Sequence, residues 1–170
     1  EVFKIDKQKM LIVDDSQLAR TILKDIFDDE YMVLEATNGT SALEILKQRA
    51  YEISVILLDM IMPEMDGLEV LKRMRRDEKL SQIPVVVTTS DPDLEMRALE
   101  VGVIDYIVKP YNEVIIKHRI DNVMAKIFLE KQKAEVAFLE EIRYAAEHDE
   151  LTSLYNKRKF LVVTRELLDR

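Results

Sequence analysis

The sequence predicts a doubly wound α/β domain on a five-stranded parallel sheet, extended by one long C-terminal helix. Three observations point there. Five short apolar runs alternate with segments of helical periodicity, the pattern of successive βαβ units. Four of those runs end in residues able to do chemistry: Asp14 with Asp15, Asp59, Thr88 with Thr89, and Lys109. From Asn112 to about Glu147 neither Gly nor Pro interrupts an alternation of charged and apolar residues. That stretch fits one continuous helix on the order of 50 Å long.

The elements follow in order. Residues 9–13 are a short apolar strand ending at Asp14-Asp15-Ser16, with Ser16 suited to cap the next helix. In that helix Leu18, Ile22, Ile26 and Phe27 fall on one face, which is expected to point inward. Tyr31 to Ala36 reads as a second strand, and Thr37-Asn38-Gly39 as its turn. A helix follows with Ala42, Leu43, Ile45 and Leu46 inward. Residues 53–58 form a continuous apolar run, the mark of a strand buried on both faces, and its first charge is Asp59. A loop through Pro63 and Gly67 leads to a helix carrying Leu68, Val70, Leu71 and Met74. Residues 83–87 make the fourth strand, Leu94 to Val101 a short helix closed by Gly102, and residues 104–108 the fifth strand. Val114, Ile115, Ile120 and Val123 are expected to pack the start of the long helix on the sheet.

Composition narrows the function classes. The chain of 170 residues carries 25 basic and 33 acidic side chains, a formal net charge of −8. Binding to nucleic acid needs a basic face, so none is expected here. There is no cysteine, which excludes a disulfide scaffold and a thiolate metal site and suits a reducing, cytoplasmic setting. No apolar run approaches the length of a membrane span, and no membrane insertion is expected. The first residue is Glu and the last lies in a helical pattern, so a fragment of a longer protein is expected.

In a parallel sheet the C-terminal strand ends form one reactive edge. Asp14, Asp15 and Asp59 gathered there would repel one another, which makes sense chiefly with a hard cation such as Mg²⁺. A carboxylate in such a site can act as a nucleophile toward a phosphoryl group. Lys109 supplies a positive charge for one phosphoryl oxygen and Thr89 a hydroxyl for another. Taken singly, each residue is an ordinary solvated strand end; their convergence is what argues for a site. Met60, Met62 and Met65 read as flexible packing under a loop, because no Cys or His lies nearby in sequence to complete a soft-metal set.

Four segments together resemble the receiver domain of two-component response regulators: residues 13–16 (VDDS), 58–67 (LDMIMPEMDG), 84–89 (PVVVTT) and 106–110 (YIVKP). The resemblance covers roughly residues 8–125. It implies the flavodoxin-like receiver fold with strand order 2-1-3-4-5. It implies that Asp59 accepts a phosphoryl group from a sensor histidine kinase or a phosphotransfer protein. By the same resemblance Asp14, Asp15, Asp59 and the main-chain carbonyl of Ile61 hold Mg²⁺. Lys109 pairs with the phosphoryl group, Thr89 is the switch hydroxyl and Tyr106 the aromatic switch. Thr88 and Thr89 are adjacent, so only one of them can face the site; the family pattern favours Thr89, with Thr88 the alternative. A tyrosine in a strand is also often only a half-buried aromatic.

Residues 126–147 read as a helical linker. Ile127, Ala134 and Phe138 fall on one imperfect heptad seam, and Leu129, Val136 and Leu139 on another. A lone helix of this length is marginal in water, so a homodimer through a coiled coil is expected. Arg97, Asp105 and Arg119 are candidates for a contact between receivers. Residues 148–170 resemble the opening of a GGDEF (diguanylate cyclase) domain, on the run 148–160 (HDELTSLYNKRKF), with Ser153 where that family has Gly. The only glycines are Gly39, Gly67 and Gly102, so the Gly-Gly signature is absent and this stretch is not expected to be an enzyme. The intact protein is expected to be a diguanylate cyclase making cyclic di-GMP. Two other classes fit less well. A Mg²⁺-dependent small-molecule phosphohydrolase shares the acid and lysine set but lacks an obvious cap domain. A receiver-like scaffold that is never phosphorylated has no need of the complete acidic set.

Overall fold

The computed structural model describes residues 7–148 and 157–168, with the side chains of residues 92, 93, 95, 96, 157, 158 and 166–168 left aside. Strands β1 (Gln8–Val13), β2 (Tyr31–Ala36), β3 (Ile53–Asp59), β4 (Val85–Thr89) and β5 (Asp105–Val108) pair in parallel in the order β2-β1-β3-β4-β5. The connecting helices are α1 (Gln17–Phe27), α2 (Gly39–Arg49), α3 (Gly67–Arg75) and α4 (Pro92–Glu100). The expected doubly wound, flavodoxin-like sheet is therefore present. Its fourth strand starts and ends two residues later than the apolar run suggests, so both threonines belong to it.

Helices α1, α2 and α3 each start where a short polar side chain satisfies free N–H groups. Ser16 accepts from Ala19 N at 3.3 Å, and Asp66 accepts from Glu69 N at 2.8 Å. Asn38 and Ser41 form a reciprocal capping box. One apolar core gathers Leu11, Val13, Leu58, Val85 and Val87 of the sheet against α2, α3 and Ala98 of α4. Leu23, Ile26 and Phe27 of α1 are buried outside that cluster.

Two inward-facing expectations fail. Leu18 is 70% and Ile22 39% exposed, and Leu23 takes the buried place instead. Helix α1 is buried through its C-terminal half, at Leu23, Ile26 and Phe27, and Leu18 lies in the first turn ahead of that face. Helix α5 (Glu113–Glu147) behaves similarly. Its Val114 and Ile115 are exposed, while Ile116, Ile120 and Val123 are buried.

The chain divides into two compact units between Met124 and Ala125, within α5. In the second unit, α6 (Lys157–Leu168) joins α5 through Lys159 Nζ and Glu147 Oε1 at 2.8 Å. The His148 ring stacks on Tyr144 with centroids 3.9 Å apart. Most of the run likened to a GGDEF opening, residues 149–156, lies outside the described residues. Among those described, no helix is long and apolar enough to cross a membrane.

Two links position the functional edge. Gly67 N donates to the carbonyl of Met60 at 3.1 Å, folding the loop back on the end of β3, and Glu64 within that loop has φ 64°. The Arg75 guanidinium donates to the carbonyls of Ser81, Val101 and Gly102, fastening the C-terminal end of α4 to α3. A Cβ at Gly67 would strike the carbonyl oxygen of Asp59 and come within 2.8 Å of Met60 Cα. Both obstacles are backbone. Gly67→Ala is therefore expected to cost about 2–3 kcal/mol, read as a fall in the urea midpoint; an unchanged midpoint would mean that the loop is not held against the strand.

Candidate functional site

Topology brings the reactive side chains together. β1 and β3 are neighbours, so Asp14, Asp15 and Asp59 emerge side by side at the C-terminal edge. Lys109 follows β5, and its N–H is held by the carbonyl of Thr89 at 2.9 Å. Asp14 and Asp59 are 1% and 4% exposed, whereas Asp15 faces solvent.

The two buried carboxylates are arranged alike. Asp14 Oδ1 accepts from the Ser16 N–H at 2.8 Å, and Asp59 Oδ1 from the Ile61 N–H at 3.2 Å. Their Oδ2 atoms share one donor, Lys109 Nζ, at 2.9 Å each. Burial raises the Asp59 carboxyl above its ordinary value; the Lys109 hydrogen bond pulls it down, and the Asp14 charge pushes it up again. For Lys109 burial acts to lower the ammonium, but the bonds to Asp14 and Asp59 outweigh it and hold it above the usual lysine value.

Oxygens of Asp14, Asp15 and Asp59 lie within 4.8 Å of one another. An all-oxygen set with one solvent-facing member suits a hard divalent cation that keeps water in its shell. Lys109 already neutralises part of the charge between the two buried members.

Thr88 is the ladder partner of Asp59, and Thr89, the last residue of β4, lies one residue further toward the C-terminal edge. Both are buried. Thr89 Oγ1 accepts from Asp91 N at 3.0 Å and donates to Asp91 O at 3.3 Å. Tyr106 is half-buried under the Arg119 guanidinium, 5.3 Å from its ring centroid. Arg119 also pairs with Asp105 at 2.8 Å within the same chain. Arg97 is exposed on α4.

Two residues outside the sequence expectations belong to the site. Arg20, in the first turn of α1, donates to the carbonyls of Asp14 at 2.9 Å and Asp15 at 3.2 Å. It also reaches Glu35 at 3.3 Å, bracing the acidic loop from below. Its spacing from Ser16 is the only hint in the sequence. Tyr111 follows the cis Lys109–Pro110 peptide, and its ring lies 5.9 Å from Lys109 Nζ.

Residues 10–121 match the model of the response regulator receiver domain. A chemotaxis protein CheY homolog of Campylobacter jejuni is 37% identical over 123 residues, covering 68% of this chain and 92% of that protein. Histidine kinase P4 of Formosa agariphila is 39% identical over 121 residues, covering 70% of this chain but only 9% of that much longer protein. The solved structure of Vibrio cholerae CheY4 superposes with a TM-score of 0.64 at 28% identity, covering 69% of this chain and 98% of that one. The sheet order, the acid pair bridged by a lysine and these matches agree: the chain belongs to the response regulator receiver family.

Proposed function

We propose that Asp59 is the phosphoacceptor of a two-component switch whose output lies beyond α5. Receiver domains take phosphoryl groups from histidine kinases. The observation that carries the assignment is the shared ammonium: Lys109 Nζ sits 2.9 Å from oxygens of both Asp14 and Asp59. An ammonium held between two carboxylates is placed to follow negative charge as it moves onto a phosphoryl group.

In the proposed step an Asp59 carboxylate oxygen forms the O–P bond as the P–N bond of a phosphohistidine breaks. The electron pair of that bond returns to the imidazole nitrogen. The Ile61 N–H keeps Asp59 oriented, and Lys109 turns to a phosphoryl oxygen. Asp14, Asp15, Asp59 and the Ile61 carbonyl would hold Mg²⁺, which when bound neutralises charge on the transferring group. Thr89 would trade its bonds to Asp91 for one to the phosphoryl group, and Tyr106 would move with it, changing the face that it shares with Arg119.

The output reading rests on α5 and on residues 148–170, which resemble the opening of a diguanylate cyclase domain. Phe128, Leu129, Val136, Phe138, Leu139 and Ile142 are all half or more exposed along α5. Such a helix is marginal alone, so we assign it to a homodimeric coiled coil that would bring two cyclase domains together in the cytoplasm. Arg97, Asp105 and Arg119 would then lie on a further receiver contact.

Three outcomes follow. Incubation with Mg²⁺ and acetyl phosphate is expected to add one phosphate per chain by intact mass, and Asp59→Asn to abolish it; an adduct that persists in the variant would sink the assignment.

Folding has raised the Asp59 carboxyl, so the native state binds its proton more tightly than the unfolded chain. Stability from this group is then greatest below the ordinary carboxylate range and falls as pH rises through it. Asp59→Asn is expected to raise the urea midpoint at pH 7, and the gain should shrink toward pH 4; a lowered midpoint at neutral pH would contradict the burial argument.

Light scattering is expected to give the mass of two chains, and either Phe138→Glu or Leu139→Glu to give one, identifying the seam used. A single-chain mass for the unsubstituted protein, with and without an acyl-phosphate mimic, overturns the dimer.

A further inference from the structure

Arg20 stands against the acidic loop, an unexpected place for one cation if the loop is to hold another. Its side chain is only 11% exposed. One nitrogen, Nη1, donates to the carbonyls of both Asp14 and Asp15, while Nε reaches Glu35 Oε2. Glu35 precedes Ala36, whose carbonyl accepts from the Asp14 N–H at 3.2 Å. The end of β2 thus grips the loop twice, once by its main chain and once through the guanidinium.

The three acids are not held alike. Asp14 and Asp59 each have one oxygen fixed by a backbone N–H and the other by Lys109. Among the described residues the Asp15 carboxylate has no hydrogen bond, so its main chain alone places it, and Arg20 holds that main chain. Mg²⁺ demands near-octahedral geometry at short distances, so a displaced ligand loses affinity. Arg20 therefore has two opposing effects. As a positive charge it repels a bound cation, and pairing with Glu35 weakens that repulsion. As a planar fork it orients a ligand, and groups that do so are typically worth about 10–100-fold in metal affinity.

We propose that Arg20 is a positioning residue for the divalent cation. Its Nη1 fixes the turn that presents Asp15, Glu35 fixes the guanidinium and offsets its charge, and orientation outweighs repulsion. A lysine here would keep the charge, but an ammonium lacks the rigid fork that holds two carbonyls and a carboxylate at once. This inference rests on the reading that Asp14, Asp15 and Asp59 hold Mg²⁺.

The test compares the unsubstituted chain with Arg20→Ala, Arg20→Lys, Glu35→Gln and the double variant Arg20→Ala/Glu35→Gln. Each unphosphorylated chain is titrated with Mg²⁺ and followed by the backbone amide NMR shifts of Asp15 and Ile61. Arg20→Ala is expected to weaken Mg²⁺ by about tenfold or more, and Arg20→Lys to weaken it by a smaller factor. Glu35→Gln should weaken it only while Arg20 is present. A purely electrostatic role predicts tighter binding in Arg20→Ala and no change in Arg20→Lys; either result overturns the proposal. A purely structural role lowers the urea midpoint without Mg²⁺ and leaves the affinity unchanged, which overturns it as well. Should Arg20→Ala fail to fold, Arg20→Lys decides alone. An equal loss from Glu35→Gln with and without Arg20 overturns the part given to Glu35. If the unsubstituted chain shows no saturable shift, it is the assignment of the acids to Mg²⁺ that fails, and this inference with it.

Discussion

The site depends on one electrostatic constraint: two buried carboxylates are tolerable only because a single ammonium lies between them. Removing one partner of a buried pair leaves an uncompensated charge, typically a loss of about 3–5 kcal/mol. The sheet order explains why that partner is a lysine. β5 stands two strands from β3, about 10 Å at ordinary strand spacing, with the end of β4 between them. A long flexible stem can reach across that gap, and the residues it crosses, Thr88 and Thr89, are uncharged.

The arrangement also divides work between main chain and side chain. One oxygen of each buried carboxylate is fixed by a backbone N–H, while the other is held by a movable side chain. Asp14 and Asp59 can therefore exchange the partner of one oxygen without losing orientation. Arg20 stiffens the loop that carries Asp14 and Asp15 by collecting its carbonyls. On the proposed reading, charge can shift within the pocket while its frame stays still, and the movement is passed to the hydroxyls and to the Tyr106–Arg119 stack.

The strand ends were legible because a buried strand announces its exit with its first polar residue, as at Asp14, Asp59 and Lys109. The sheet could be read for the same reason. Helix faces were less so. Periodicity finds an apolar stripe, but which end of it is covered depends on which part of the helix packs against the fold, hence the exposed Leu18, Val114 and Ile115. Tyr111 was invisible because it sits in a loop after a proline, where neither period applies. Only the fold shows that its hydroxyl is buried and its ring lies near Lys109. Arg20 looked like a surface charge on a helix, and its true partners are two carbonyls of a neighbouring turn.

The Arg75 clasp has a mechanical consequence. It grips the carbonyls just past α4, at the end of that helix farthest from the carboxylates. The other end starts directly after Thr89 and Asp91, about 13 Å away along the nine-residue axis. A rod pinned at one end swings most at the other. A small tilt about Arg75 is thus magnified beside Thr89, and a small push at Thr89 meets the longest lever arm α4 offers.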